Sequence, residues 1–136
     1  MPRILIFCLR ETFTMDGKTQ EWEMKSNTVI IINNNGMGQA DSTLTHKLAQ
    51  AFRNMLDLGE KLPTAICFYA DGVKLTTDGS PVLEELQSLA DKGVSLIVCT
   101  TCLNHFGIFD DLKVGSAGGM KEIVDAQWEA QKVITL

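Results

Sequence analysis

Thr28-Val29-Ile30-Ile31-Ile32-Asn33-Asn34-Asn35-Gly36-Met37-Gly38 is the stretch on which the fold turns. Its first five residues form an unbroken β-branched run. A half-exposed strand alternates apolar and polar side chains. A run apolar at every position is buried on both faces, the condition of a strand in a parallel sheet covered by helices. The run stops at three asparagines and a glycine, which read as a strand-to-helix loop. Helical spacing then takes over: Leu44, Leu48, Phe52, Met55 and Leu56 recur on one stripe with Ala51 beside them. They are expected to form the core face of a helix capped by Asp41 or Ser42 and stopped by Gly59.

The same alternation continues downstream. Thr64–Tyr69 reads as a second buried strand, and Asp71-Gly72 as a turn. Ser80-Pro81 opens a helix, serine as cap and proline at the first helical position, with Val82, Leu83, Leu86, Leu89 and Ala90 on its apolar face and Lys92-Gly93 at its end. Val94–Val98 is a third strand with Cys99 at its C-terminal end, and a short helical turn covers Leu103–Phe106. Leu112–Val114 is expected as a short fourth strand. Ile123, Val124, Ala126 and Trp128 are expected on the apolar face of a last helix after Gly118-Gly119, and Val133–Leu136 closes as a final strand. Strands alternating with helices define an α/β fold. It is expected to be a three-layer sandwich with a mostly parallel sheet of about five strands.

Composition bounds the function. The 136 residues, 45% hydrophobic and 21% charged, make one domain with a sizeable core. Twelve basic residues against 17 acidic ones give a net charge of −5, with no basic stripe, so a general nucleic-acid binder is excluded. No apolar run reaches the length of a membrane span. The run Ile4–Leu9 stops after six residues at Arg10, too short for a signal-peptide core. A cytoplasmic setting with reduced thiols is therefore expected. Residues 1–25 differ from the rest and read as an N-terminal extension or arm, with residues 26–136 as the domain. The arm is either an upstream extension ahead of Met24 or a hairpin of Ile4–Leu9 with a partner near Thr19–Trp22.

Ligands of open parallel sheets bind beyond the C-terminal strand ends. Three such ends can be read: Asn33–Gly38, Tyr69–Leu75 and Cys99–Gly107. Cys99-Thr100-Thr101-Cys102 is the sharpest feature among them. A thiol where a strand passes into a helical turn meets unpaired N–H groups that favour thiolate, the nucleophilic form. The bland alternative is two buried cysteines acting as small hydrophobes. Cys99, Cys102 and His105 have zinc-compatible spacing but lack a fourth ligand nearby, so no metal is expected. His105 is instead placed to stabilise a thiolate or move a proton. Lys74, in the loop Asp71-Gly72-Val73-Lys74, could attract an anionic sulfur carrier. Gly36-Met37-Gly38 lacks a nucleotide fingerprint, although an anion could meet backbone N–H groups there; an ordinary turn is the alternative. Cys67 reads as core, Cys8 lies in the arm, and His46 sits on the first helix.

From about Ser26 to Leu136 the chain resembles the DsrE/DsrF-like (DsrEFH) family, most closely the DsrE-like domain of YedF-type proteins. The carrying pieces are Met37-Gly38-Gln39-Ala40-Asp41-Ser42-Thr43-Leu44, Phe68-Tyr69-Ala70-Asp71-Gly72-Val73-Lys74-Leu75, Val98-Cys99-Thr100-Thr101-Cys102-Leu103, Lys113-Val114-Gly115 and Val133-Ile134-Thr135-Leu136. Thr100 stands where the family's cysteine motif usually has glycine, Ala40 where glycine usually precedes Asp41, and Gly119-Met120 where Asn-Met is common. The TusA-like domain that precedes this one in YedF-type proteins has no counterpart in the first 23 residues.

The resemblance implies a sulfurtransferase-like persulfide carrier in an intracellular sulfur relay, some members being connected with selenium metabolism. Cys99 would receive the sulfur and Cys102 would be a second carrier or resolving thiol. Lys74, His105, Asp71, Gly38 and Asp41 would bind or tune. It implies protein donors and acceptors, a TusA-like carrier among them, no cofactor beyond the transient persulfide, no nucleic acid or membrane, and a homotrimer or homohexamer. Two alternatives stand beside it: a non-enzymatic oligomeric binding module, and a dithiol redox sensor.

Overall fold

Thr28–Ile32 (β1) is a strand with all five residues buried, as its composition requires. Its side chains Val29, Ile30, Ile31 and Ile32 are 1–2% exposed, and burial of each contributes about 2 kcal/mol. The computed structural model describes residues 27–59 and 61–136. The N-terminal arm, with Cys8 and the expected hairpin, lies outside them. Ala65–Phe68 (β2), Ser95–Cys99 (β3), Ser116–Gly118 (β4) and Lys132–Thr135 (β5) complete a sheet ordered β4-β3-β2-β1-β5. Every pairing is parallel, with Ile30 opposite Ile66 and Ile134, and Cys67 opposite Ile97.

Four helices connect the strands: Ser42–Leu58 (α1), Leu83–Asp91 (α2), Thr100–Phe106 (α3) and Met120–Glu129 (α4). Chain order advances strand by strand from β1 to β4, then returns across the sheet to β5. Right-handed crossovers therefore put α1 and α2 on one face and α4 on the other, giving three layers. The α1–α2 contact is held by Ser88 Oγ donating to Asp57 Oδ1 (2.6 Å) and by the Lys92–Asp57 ion pair at 2.7 Å.

Four local expectations are corrected. Asp71-Gly72 is no simple turn but lies inside a seven-residue 3-10 helix, Ala70–Thr76. Leu112–Val114 is not the fourth strand, which is the Ser-Ala-Gly segment 116–118. Those three residues have little strand propensity, and they are extended because they pair with Ile97, Val98 and Cys99. Proline and serine at 80–81 stand just ahead of α2 rather than within it, with Ser80 Oγ accepting from the Val82 N–H at 3.2 Å.

The fourth correction concerns which helix faces are buried. On α1 the buried residues are Thr45, Ala49 and Arg53. Leu44, Leu48, Ala51 and Met55 are exposed, and Phe52 and Leu56 are half-buried. On α4 only Ile123 is buried; Val124 and Trp128 point to solvent, Trp128 at 84% exposure. Arg53 is 1% exposed, with Nη1 donating to Ala49 O at 2.8 Å and Nε and Nη2 without a partner among the described residues. Burial pulls its guanidinium down to about 10, against the opposing field of Glu85. No helix among the described residues is long and apolar enough to cross a membrane.

Candidate functional site

The C-terminal ends of β2 and β3 are adjacent, because the two strands pair in register. The segments that continue the two strands are therefore neighbours: the 3-10 segment Ala70–Thr76 after β2, and α3 after β3. Cys99 closes β3, and α3 begins at the next residue, which places Cys102 in the first turn of that helix. Thr100 Oγ1 donates to Gly118 O at 3.1 Å and fixes the start of α3 against the end of β4.

The two thiols have different environments. Cys99 is 1% exposed and packs in the core. Its strand is covered on both faces up to its last residue. Cys102 is half-exposed, and its Sγ accepts a hydrogen bond from the Ala70 N–H at 3.1 Å. Desolvation raises the Cys102 thiol above its ordinary value; the Ala70 amide pulls it back, and the hydrogen bond and charge of Cys99 push it further up. In the first turn of α3, Cys102 is thus held toward the thiol form. Cys67, fully buried in β2, is pushed from 9.0 up to about 11 by desolvation and is inert core, as its position within a strand predicts.

Ala70 is the contact that sequence reasoning missed. It is the one described non-glycine residue with positive φ, at +52°. An alanine in the left-handed region costs about 1 kcal/mol, and nothing in its side chain announces the conformation. Its N–H is the group that donates to Cys102 Sγ. Gly72, two residues on, is needed for a different reason. A Cβ there would lie 2.1 Å from Ile32 O, so only glycine lets the 3-10 segment lie against the end of β1.

Lys74 Nζ is 3.1 Å from Asp71 Oδ1 and 4.3 Å from the centroid of the Phe106 ring on α3. The ring gives the ammonium a cation–π seat and joins the 3-10 segment to the thiol helix. Phe106 lies four residues after Cys102, on the same helix face, a signal present in the sequence but unused. His105 is exposed and stacks edge-on against Phe106, with centroids 5.2 Å apart. The fold thus gathers Cys99, Cys102, Asp71 and Lys74 around one corner, with His105 beside it. Among the described residues no three His, Cys, Asp or Glu side chains converge as a metal site.

Gly38 and Asp41 lie elsewhere. Asp41 Oδ1 accepts from the Leu44 N–H at 3.1 Å and caps α1, and Gly38 O accepts from Asn34 Nδ2 at 2.8 Å. Gly38 lines an open groove of about 830 Å³ with Asn33, Asn34, Asn35, Gln39 and Leu136. The groove opens at the end of β1, two strands from β3, or about 10 Å across the sheet. No cysteine lines it.

A family model, the DsrE/DsrF-like family, matches residues 27–136, which is the whole of the sheet and its helices. The chain belongs to the DsrE/DsrF-like family. Among solved structures it is similar to a protein of unknown function from Methanobacterium thermoautotrophicum, with TM-score 0.57 and 23% identity over 82% of this chain and 99% of that one. It is also similar to the ychN protein of E. coli, with TM-score 0.58 and 22% identity over 81% and 99%. A third neighbour, a conserved protein of unknown function from Bacteroides thetaiotaomicron, has TM-score 0.55 and 16% identity over 81% and 95%. At these identities the likeness is one of fold. No curated protein matches the chain.

Proposed function

We propose that this DsrE-like chain is a persulfide carrier of an intracellular sulfur relay, loading sulfur on Cys102 with Cys99 behind it. The observation that carries the reading is the pairing of a half-exposed Cys102 Sγ with the Ala70 N–H at 3.1 Å, above a buried Cys99. In the loading step the Cys102 thiolate attacks the outer sulfur of a donor persulfide. A Cys102 S–S bond forms as the donor's S–S bond breaks, and the donor leaves as a thiol carrying one proton. The step is redox-neutral and requires no bound cofactor. The Ala70 amide supports the anionic sulfur, and Lys74, seated between Asp71 and Phe106, supplies positive charge to an incoming anionic persulfide. His105 at the rim is placed to exchange the proton.

The partners in this reading are a protein donor and a protein acceptor, a TusA-like carrier among the candidates, within the cytoplasm. The Cys-x-x-Cys-Leu likeness to YedF-type proteins and the family membership support it. Incubation with a persulfide donor followed by intact mass is expected to add about 32 Da to the wild type and to Cys99→Ser, and nothing to Cys102→Ser. Loading that survives in Cys102→Ser and disappears in Cys99→Ser refutes the assignment. A dithiol redox pair is the second reading, favoured by the Cys-x-x-Cys spacing of Cys99 and Cys102 at the start of α3. It predicts a reversible loss of two hydrogens under mild oxidant and no sulfur adduct. A chain that shows neither reaction is a binding module.

A further inference from the structure

Asn35-Gly36, in the loop between β1 and α1, is the one asparagine–glycine pair in the chain, and the sulfur chemistry makes no use of it. An asparagine is chemically labile when the next residue's amide nitrogen reaches its side-chain carbonyl carbon, because the two close a five-membered ring. A following glycine has no side chain to hinder that approach. The other asparagines are protected. The Asn27 carboxamide donates to Glu129 O at 2.7 Å, and that of Asn34 to Gly38 O at 2.8 Å. Asn54 and Asn104 lie inside α1 and α3, where the following N–H is committed to the helix. Asn33 is followed by Asn34, whose side chain stands in the way. At Asn35 both reacting groups are free. Among the described residues, neither its carboxamide nor the Gly36 N–H has a hydrogen-bond partner. Asn35 is half-buried and lines the open groove of about 830 Å³, which gives water access to it.

We infer that Asn35 is a modification site, deamidating within the folded chain through a cyclic imide shared with Gly36. Hydroxide takes the Gly36 amide proton, and the nitrogen attacks Asn35 Cγ. A Cγ–N bond forms, the Cγ–Nδ2 bond breaks, and Nδ2 leaves as ammonia with a proton from water. A second water opens the imide. Attack at Cγ gives aspartate. Attack at the main-chain carbonyl carbon gives isoaspartate, in which the chain runs through Cγ. In sum, an amide and water become a carboxylate and ammonium, with no electron transfer and no cofactor. Either product places a carboxylate in a groove whose other polar lining side chains, Asn33, Asn34, Gln39, Ser42 and Thr45, are uncharged. The reaction is thus a slow, one-way charge switch on this groove. Isoaspartate does more, because it adds one atom to the main chain between residues 35 and 36. Gly36 is packed so closely that even a Cβ on it would lie 2.7 Å from Thr45 Cβ and Oγ1. The next residue, Met37, donates its N–H to Thr45 O at 3.0 Å. A lengthened loop cannot keep both contacts, so this product loosens the start of α1. The site is independent of the sulfur chemistry, which belongs to a different corner of the sheet.

Ageing of the native full chain at about 37 °C, near pH 7 and near pH 9, followed by tryptic peptide mass spectrometry, tests it. The peptide Ser26–Lys47 is expected to gain about 1 Da in ordinary water and about 3 Da in oxygen-18 water. Fragment ions are expected to place the change at Asn35. The rate is expected to rise severalfold at the higher pH, because the attacking nitrogen must first lose its proton. Enzymatic methylation of isoaspartate is expected to label the aged wild type and not aged Asn35→Gln, whose longer side chain closes only a six-membered ring. The same chain held in urea is the reference for an unconstrained loop. A native chain that stays unmodified while the urea-held chain reacts overturns the inference, because the fold then blocks ring closure. So does a gain at Asn33 or Asn34 instead, a gain that persists undiminished in Asn35→Gln, or a mass gain without isoaspartate, which is direct hydrolysis and not passage through the imide.

Discussion

Alanine at position 72 is expected to unseat the segment that holds Cys102. The ideal Cβ would lie 2.1 Å from Ile32 O and 2.8 Å from Ile32 C, whereas ordinary contact begins at 3.4 Å. The segment 70–76 must retreat by about 1 Å, and both colliding groups are backbone, so no side chain can swing aside. Ile32 O also accepts from the Tyr69 N–H at 3.1 Å, and the retreat strains that bond together with the 3.1 Å bond from Ala70 to Cys102. Overpacking costs about 1–3 kcal/mol, and a lost hydrogen bond adds about 1 kcal/mol. The entropic gain of Gly→Ala in the unfolded chain offsets at most about 1 kcal/mol. The net loss is about 2–3 kcal/mol, a large share of a domain's typical 5–15 kcal/mol. Urea unfolding measures it as a lowered midpoint at unchanged slope. Iodoacetamide labelling of Cys102, with peptide mass spectrometry as the readout, reports on the site itself. Losing the Ala70 donor leaves the thiol higher still, so labelling slows at fixed pH once exposure is matched. Stability within about 0.5 kcal/mol of wild type with unchanged Cys102 labelling would refute the close-approach argument.

Two further predictions concern the core. Arg53→Met removes a buried cation whose guanidinium is pulled down to about 10 by desolvation, a penalty of about 3 kcal/mol. It forfeits the bond to Ala49 O, worth about 1 kcal/mol, so a gain of about 2 kcal/mol in urea unfolding is expected, and a loss refutes the absence of a partner for the buried Nε and Nη2. Cys67 titrates near 11 in the folded chain but near 9.0 in the unfolded one. The unfolded chain ionises first as pH rises, so this stability is intact below pH 9 and falls by about 2 kcal/mol on approaching pH 11. Cys67→Ser should flatten that slope in stability measured from pH 8 to 11, and an identical slope counts against the desolvation reading.

Much of the fold was legible. The unbroken run Thr28–Ile32 stated that its strand is covered on both faces, and all five residues are buried. The strand Ala65–Phe68 and the alternation of elements gave the parallel sheet and the place where chemistry collects. Legibility failed where a segment's conformation comes from its neighbours. Ser116–Gly118 is a strand because β3 offers it an edge. Asp71-Gly72 resembles a turn locally, yet the glycine answers to Ile32, forty residues earlier in the chain. At the site the two cysteines were found by spacing, but spacing is blind to which one reaches solvent.

By itself the sequence determined the α/β class, the parallel sheet and the corner holding Cys99, Cys102, Asp71 and Lys74. These rest on periodicity and on strand ends, which are local properties of the chain. Only the tertiary structure decided that Cys99 is buried and Cys102 half-exposed, that Ala70 donates to Cys102, that Gly38 lines a separate groove and that Asp41 caps α1. It also turned the apolar stripe of α1 outward. A 3.6-residue period shows that a helix has an apolar face, and it is the same whether that face meets its own sheet or another molecule. Which side is covered depends on how the connections before and after the helix aim it at the sheet, information spread along the chain and expressed only when the strands have paired.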